Sequence, residues 1–193
     1  MRKSILFVAL FVFGVFVVSG CGLIGGADRE LNPAAGDVNP LAAAYMPDFS
    51  TTTLTGEAVD CTIFYEAELT MVNIWGSFCG PCIEEMPDLE RLSKDLKKQG
   101  IRVIGILVDD DLESAGAILA DAQVTFTNLT MDASLQTFLG KFQYVPTTIF
   151  IDGKGQVMPE IAVGARGYEE YKALAESALR SATAVPVDTS GGG

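Results

Sequence analysis

The 193-residue chain has no histidine. Proton transfer near neutral pH must therefore use other groups, and the commonest metal-binding ring is missing. Cysteine is also scarce, with four in all, and only Cys79 and Cys82 stand close together. Tetrahedral zinc usually takes four protein ligands, often a second Cys-x-x-Cys or a His pair, so no zinc site is expected. Positive charge is short as well: 13 Lys and Arg stand against 25 Asp and Glu, for a net charge of −12. Nucleic-acid binding would call for a basic patch, so no nucleic-acid partner is expected. The apolar run from Ile5 to Val18 falls short of the ~20 residues a membrane-spanning helix needs. Asp109-Asp110-Asp111 lacks the spaced ligands and the glycine of a calcium loop and reads as a solvated loop and helix N-cap.

The chain's chemistry is concentrated in Trp75-Gly76-Ser77-Phe78-Cys79-Gly80-Pro81-Cys82. This stretch joins an apolar strand-like run, Leu69 to Trp75, to an amphipathic helix from Cys82 to Lys98. A cysteine at a helix N-terminus meets unpaired N–H groups and the positive end of the helix dipole, and both favour the thiolate. Cys79 is therefore the candidate nucleophile. Cys82, one turn later, is placed to resolve a mixed disulfide. Pro81 suits a first helical turn, where its missing N–H is not needed. A purely structural disulfide is the weaker reading, because a bridge over two residues removes little unfolded-chain entropy. No cofactor is expected, since the cysteine pair is itself the redox group.

The motif, together with Pro87 and the later Val145-Pro146-Thr147-Thr148, resembles a thioredoxin fold. The pattern Asn73-Ile74-Trp75-Gly76-x-x-Cys79-x-Pro81-Cys82-x-x-Glu85-x-Pro87 is similar to the TlpA/ResA group of membrane-anchored, extracytoplasmic thiol–disulfide oxidoreductases. The resemblance covers roughly residues 46 to 181. It implies an α/β fold: a central mixed sheet flanked by helices, with an N-terminal β-hairpin and an αβ insertion. It implies that Pro146 is cis and beside the cysteines. Trp75, Gly80, Pro81, Val145 and Pro146 would then shape the substrate-docking surface. It implies a reductase of oxidised cysteines in exported proteins, apocytochrome c being the group's best-known client. A membrane electron carrier of the CcdA/DsbD type would keep it reduced. The chain is expected to act as a monomer. Asn73 stands where thioredoxin carries a buried Asp, so a proton acceptor must come from elsewhere. Glu85 is the candidate: it matches the group's glutamate and lies one turn after Cys82 on the same helix face.

In chain order, Arg2 and Lys3 precede the apolar run, and Val18-Ser19-Gly20-Cys21 follows it. Residues 1–20 read as a signal peptide. The last four resemble a bacterial lipobox, which makes Cys21 the expected site of lipidation and places the protein on the outer face of the cytoplasmic membrane. Residues 21–45 read as a flexible tether, residues 46–184 as the thioredoxin-like domain, and residues 185–193 as a disordered tail. A hairpin is expected from Thr51 to Leu54 and Ala58 to Phe64, with Cys61 a buried apolar thiol in its second strand. Further strands are expected at Ile101 to Val108, Phe126 to Leu129, Thr147 to Ile151 and Gln156 to Val163. Helices are expected at Leu112 to Asp121, Ala133 to Phe142 and Gly167 to Ser181. Two other classes remain as alternatives. A peroxiredoxin-like peroxidase would want Thr or Ser where Gly76 stands. A non-catalytic lipoprotein would leave the cysteines inert.

Overall fold

The computed structural model describes residues 37–184. The leader, Cys21, residues 22–36 and the tail at 185–193 lie outside the described residues. Among the described residues no helix is long and apolar enough to cross a membrane.

Among the described residues, seven strands and four α-helices follow in order. They are β1 (Ser50–Thr52), β2 (Ala58–Asp60), β3 (Leu69–Trp75), α1 (Gly80–Leu96), β4 (Ile101–Leu107), α2 (Leu112–Asp121), β5 (Thr127–Leu129), α3 (Ala133–Leu139), β6 (Thr147–Asp152), β7 (Val157–Val163) and α4 (Tyr168–Thr183). The main sheet is mixed, in the order β5-β4-β3-β6-β7. β3 pairs parallel with β4 and antiparallel with β6. The insertion α2–β5 adds an edge strand parallel to β4.

β3 is buried along its whole length, as its near-continuous apolar sequence requires of a central strand. Strand alternation then sorts its side chains. Leu69, Met71 and Trp75 join a core with Met86, Leu89, Leu92 and Leu96 of α1 and Tyr171, Leu174 and Ala178 of α4. Val72 and Ile74 face the opposite core, with Phe64, Ile149 and Leu135. Each fully buried α1 leucine contributes ~1.5–3 kcal/mol by leaving water. A 3-10 turn, Lys97–Gln99, follows α1 and ends where Gly100 adopts a left-handed conformation, φ 78°, which glycine tolerates without a Cβ penalty.

Three expectations change. The second hairpin strand stops at Asp60, because that side chain accepts the Thr62 N–H and caps a 3-10 helix, Cys61–Glu66. Cys61 therefore lies in this helix, not in a strand, and is half-buried. Residues 37–45, expected as tether, pack along the edge of β7. The Asn39 side chain donates to the Met158 carbonyl, Ala43 N–H donates to Val157, Leu41 is buried, and Tyr45 bridges to Gln156. At the other edge, Leu54 N–H donates to the Asn128 carbonyl and Thr130 N–H to that of Thr52. Both edges are thus covered, which removes templates for aggregation.

Candidate functional site: a disulfide at a helix N-terminus

α1 starts at Gly80, two residues before the expected Cys82, because Cys79 itself is the N-cap. Cys79 and Cys82 form a disulfide, with Cα atoms 5.2 Å apart. The Cys82 N–H donates to Cys79 Sγ at 3.2 Å. Such a bond favours a thiolate at Cys79 in the reduced pair. Cys79 is 7% exposed and Cys82 0%, so only Cys79 offers its sulfur to a partner.

The loop before the pair is built with care. A Cβ at Gly76 would come within 2.7 Å of the Phe78 ring, so that exposed side chain would have to move aside. Asp109, expected to be solvated, instead clamps this loop: its carboxylate accepts the Ser77 N–H at 2.7 Å and the Ser77 hydroxyl at 2.9 Å. Asp111 caps α2 by accepting the Ser114 N–H.

The Val145–Pro146 peptide is cis. The Val145 carbonyl oxygen lies 3.6 Å from Cys79 Sγ. Gly80 and Pro81 are exposed, Val145 is half-buried and Pro146 is buried. Trp75 does not line the surface, contrary to the expectation for it. It is fully buried, and its indole N–H donates to Asn128 Oδ1 at 3.0 Å. Its place outside is taken by Phe78 and Tyr144, 72% and 68% exposed. With Val108, Met131, Phe142 and Val145 they line a groove of about 360 Å³ beside the pair. Neither aromatic was singled out from the sequence, although each is the immediate neighbour of a motif residue. A larger cleft, about 800 Å³, lies between the hairpin and the C-terminal half of α1 and holds none of the expected site residues.

Glu85 lies on the buried face of α1, one turn after Cys82. Its Oε1 accepts from Asn73 Nδ2 and its Oε2 from the Tyr171 hydroxyl, both at 2.7 Å. Burial pushes the carboxyl above the usual range, and the bonds from Tyr171 and Asn73 and the nearby Arg166 pull it partly back. A raised native value means that the stability linked to Glu85 is complete below the unfolded carboxyl range and is lost as pH rises through the native value.

Cys61 stands apart from the pair. Its thiol donates to Asp48 Oδ1 at 3.5 Å. Burial first, then Asp48, pushes the thiol up. A scarce thiolate, not a closed surface, should thus limit alkylation of Cys61. Asp48→Asn is expected to speed iodoacetamide labelling of Cys61 at pH 8, read by mass spectrometry. Cys61→Ala is expected to leave disulfide turnover unchanged, and a large loss without unfolding would make Cys61 a third redox thiol.

A thioredoxin-like sheet with a Cys-Gly-Pro-Cys pair at a helix N-terminus and a cis-proline beside it defines a thiol–disulfide oxidoreductase. Residues 41–175 match the redoxin family, and the chain belongs to it, within its ResA-like thiol–disulfide oxidoreductases. The thiol:disulfide interchange protein HelX of Rhodobacter capsulatus is 30% identical over 84% of this chain and 88% of its own. The thiol-disulfide oxidoreductase ResA of Geobacillus kaustophilus is 30% identical over 68% of this chain and 74% of its own. Among solved structures, a thiol:disulfide interchange protein of the thioredoxin family from Chlorobium tepidum has a TM-score of 0.61 at 24% identity. It covers 74% of this chain and 99% of its own. A secreted disulfide oxidoreductase of Mycobacterium tuberculosis has a TM-score of 0.58 at 19% identity, covering 67% and 95%.

Proposed function

We propose that the protein is a lipid-anchored, extracytoplasmic reductase of disulfides in exported proteins. The observation that carries the chemistry is the asymmetry of the pair: Cys79 is the reachable sulfur and receives the Cys82 N–H. In the reduced enzyme the Cys79 thiolate attacks a substrate disulfide, forming a Cys79–substrate bond and expelling one substrate thiolate. Cys82 then loses its proton and attacks Cys79 Sγ. The mixed disulfide breaks, the second substrate thiolate leaves, and the Cys79–Cys82 bond forms. Two electrons pass from enzyme to substrate, and the expelled thiolates take protons from water.

The groove beside Val145–Pro146 suits an extended segment carrying the oxidised cysteine, with the exposed Phe78 and Tyr144 in its lining to meet apolar residues. Apocytochrome c is the client class that the resemblance to the TlpA/ResA group suggests, and a carrier of the CcdA/DsbD type is the matching electron donor. Reduction of insulin by dithiothreitol is the direct test. Acceleration by the wild-type protein is expected; a rate equal to that without protein would leave only a partner-binding role.

The lipobox-like Val18-Ser19-Gly20-Cys21 supports the anchor. Cys21→Ala is expected to abolish incorporation of labelled palmitate and move the protein out of the membrane fraction. Unchanged fractionation and labelling would remove the anchor from this reading.

A further inference from the structure

Glu85 closes a ring of four buried side chains drawn from four elements. Asn73 lies on β3, Thr148 on β6 directly opposite it in register, Glu85 on α1 and Tyr171 on α4. All four are at most 4% exposed. Asn73 Nδ2 donates to Glu85 Oε1 at 2.7 Å and to Thr148 Oγ1 at 3.1 Å. The Thr148 hydroxyl donates to the Tyr171 oxygen at 3.4 Å, and the Tyr171 hydroxyl donates to Glu85 Oε2 at 2.7 Å. The directions agree. Asn73 supplies both of its amide hydrogens, Thr148 and Tyr171 each accept one bond and give one, and the carboxylate only accepts. The ring as drawn is therefore complete for an ionised Glu85.

A proton arriving at Glu85 has one place to go. Oε1 faces an amide nitrogen, which donates and cannot accept. Oε2 faces a hydroxyl, which can do either. With the proton on Oε2, Glu85 donates to the Tyr171 oxygen, Tyr171 turns its hydrogen to Thr148 Oγ1, and Thr148 turns its own away. One buried acceptor in the cluster has no partner to lose: Asn73 Oδ1. A buried oxygen left bare is costly, and it sits on the same amide that bonds Thr148 Oγ1.

We propose that Tyr171 and Thr148 form a reversible hydroxyl relay that lets Glu85 hold, on Oε2, the proton given up by Cys82 when the mixed disulfide is resolved. The proposal rests on Glu85 being the proton acceptor of that step. In it the Cys82 S–H bond breaks, the proton goes to Oε2, and the freed electron pair attacks Cys79 Sγ as the substrate thiolate leaves. Tyr171 and Thr148 touch neither sulfur nor substrate in this scheme. They are positioning residues that keep the carboxylate and the carboxylic acid both hydrogen-bonded.

The charged and titratable groups around Glu85 are few. Cys82 precedes it on α1, Tyr171 faces it from α4, and Arg166 acts from the β7–α4 loop through its backbone N–H and its charge. β3 and β6 present only the neutral Asn73 and Thr148. Asp88, the next acid on α1, is engaged by the Tyr168 N–H.

The test follows resolution alone. Reduced protein is mixed with 5,5′-dithiobis(2-nitrobenzoate) in a stopped-flow instrument. The first release of thionitrobenzoate reports attack by Cys79, and the second reports resolution by Cys82. The second rate is measured from pH 4 to 9. In the wild type it should climb through an acid limb as Glu85 becomes able to accept a proton. Glu85→Gln should erase that limb and slow the plateau by ~10-fold or more, as loss of a general base does. Tyr171→Phe keeps the ring in the core and removes only the hydroxyl. The carboxylate loses the stronger of its two states' bonds to that oxygen. The limb should then move up by about one pH unit, with the plateau within ~2-fold of wild type. Thr148→Val should move it the same way by less. A merely structural tyrosine would instead lower the rate at every pH together. If Glu85→Gln retains the wild-type profile, the acceptor assignment fails. If Glu85→Gln loses the limb and Tyr171→Phe leaves its midpoint in place, the relay alone is overturned.

Discussion

Cys82→Ser should abolish turnover of insulin disulfides while leaving the first chemical step intact. Cys79 keeps its place as N-cap, and the N–H at position 82 still points at its sulfur. It therefore still attacks. Among the described residues no second thiol stands ready to expel the substrate, since Cys61 lies in the 3-10 helix after β2 and bonds to Asp48. Mixed disulfides should accumulate on Cys79 and vanish with dithiothreitol on a non-reducing gel. Mass spectrometry of the trapped species would name the clients directly. Cys79→Ser should trap nothing. Trapping by Cys79→Ser and none by Cys82→Ser would reverse the assigned roles.

The second large effect concerns folding. Trp75 is the largest fully buried side chain, and its indole N–H is satisfied by Asn128. Asn128 in turn donates to the Phe126 carbonyl at 3.0 Å, so one amide links β3 to the insertion. Trp75→Ala would leave a cavity and an unpaired Asn128 oxygen. A loss of about 3–5 kcal/mol is expected, or roughly 10 °C in Tm for a domain of this size. Gly105→Ala should also destabilise. A Cβ there would collide with Asn128 Oδ1 and sit 3.1 Å from the Trp75 nitrogen. Thermal melts of the oxidised protein measure both. A Tm within 2 °C of wild type for Trp75→Ala would show that the indole is not a keystone of this core.

Trp75 also shows where sequence reasoning stopped. Adjacency to the motif suggested that it belonged to the docking surface. Strand alternation sends it inward, on the same face as Leu69 and Met71. That parity was legible; what hid it was the weight given to the motif. β3, α2 and the central order of elements could be read from apolar runs and helical spacing, because local patterns encode them. Cys61 went astray because one capping bond from Asp60 ended the strand. The Asn73–Glu85–Tyr171–Thr148 ring spans 98 residues of sequence between its ends, and no local pattern announces such a meeting.

The segment that covers β7 enters the domain at a particular corner. Asp37 accepts the Val163 N–H at 3.1 Å and pairs with Arg166 at 3.3 Å. Next to these, the Gly164 N–H donates to the carbonyl of the cis-proline, Pro146. The upstream chain is thus attached at the redox end of the sheet. With the anchor proposed at Cys21, residues 22–36 could span at most about 50 Å. The cysteines then sample a thin layer above the bilayer. A partner held in the same membrane meets them at the high effective concentration of a tethered encounter. A freely diffusing disulfide gains nothing from the leash. Lengthening the leash should therefore slow exchange with a membrane-held disulfide and leave insulin reduction untouched.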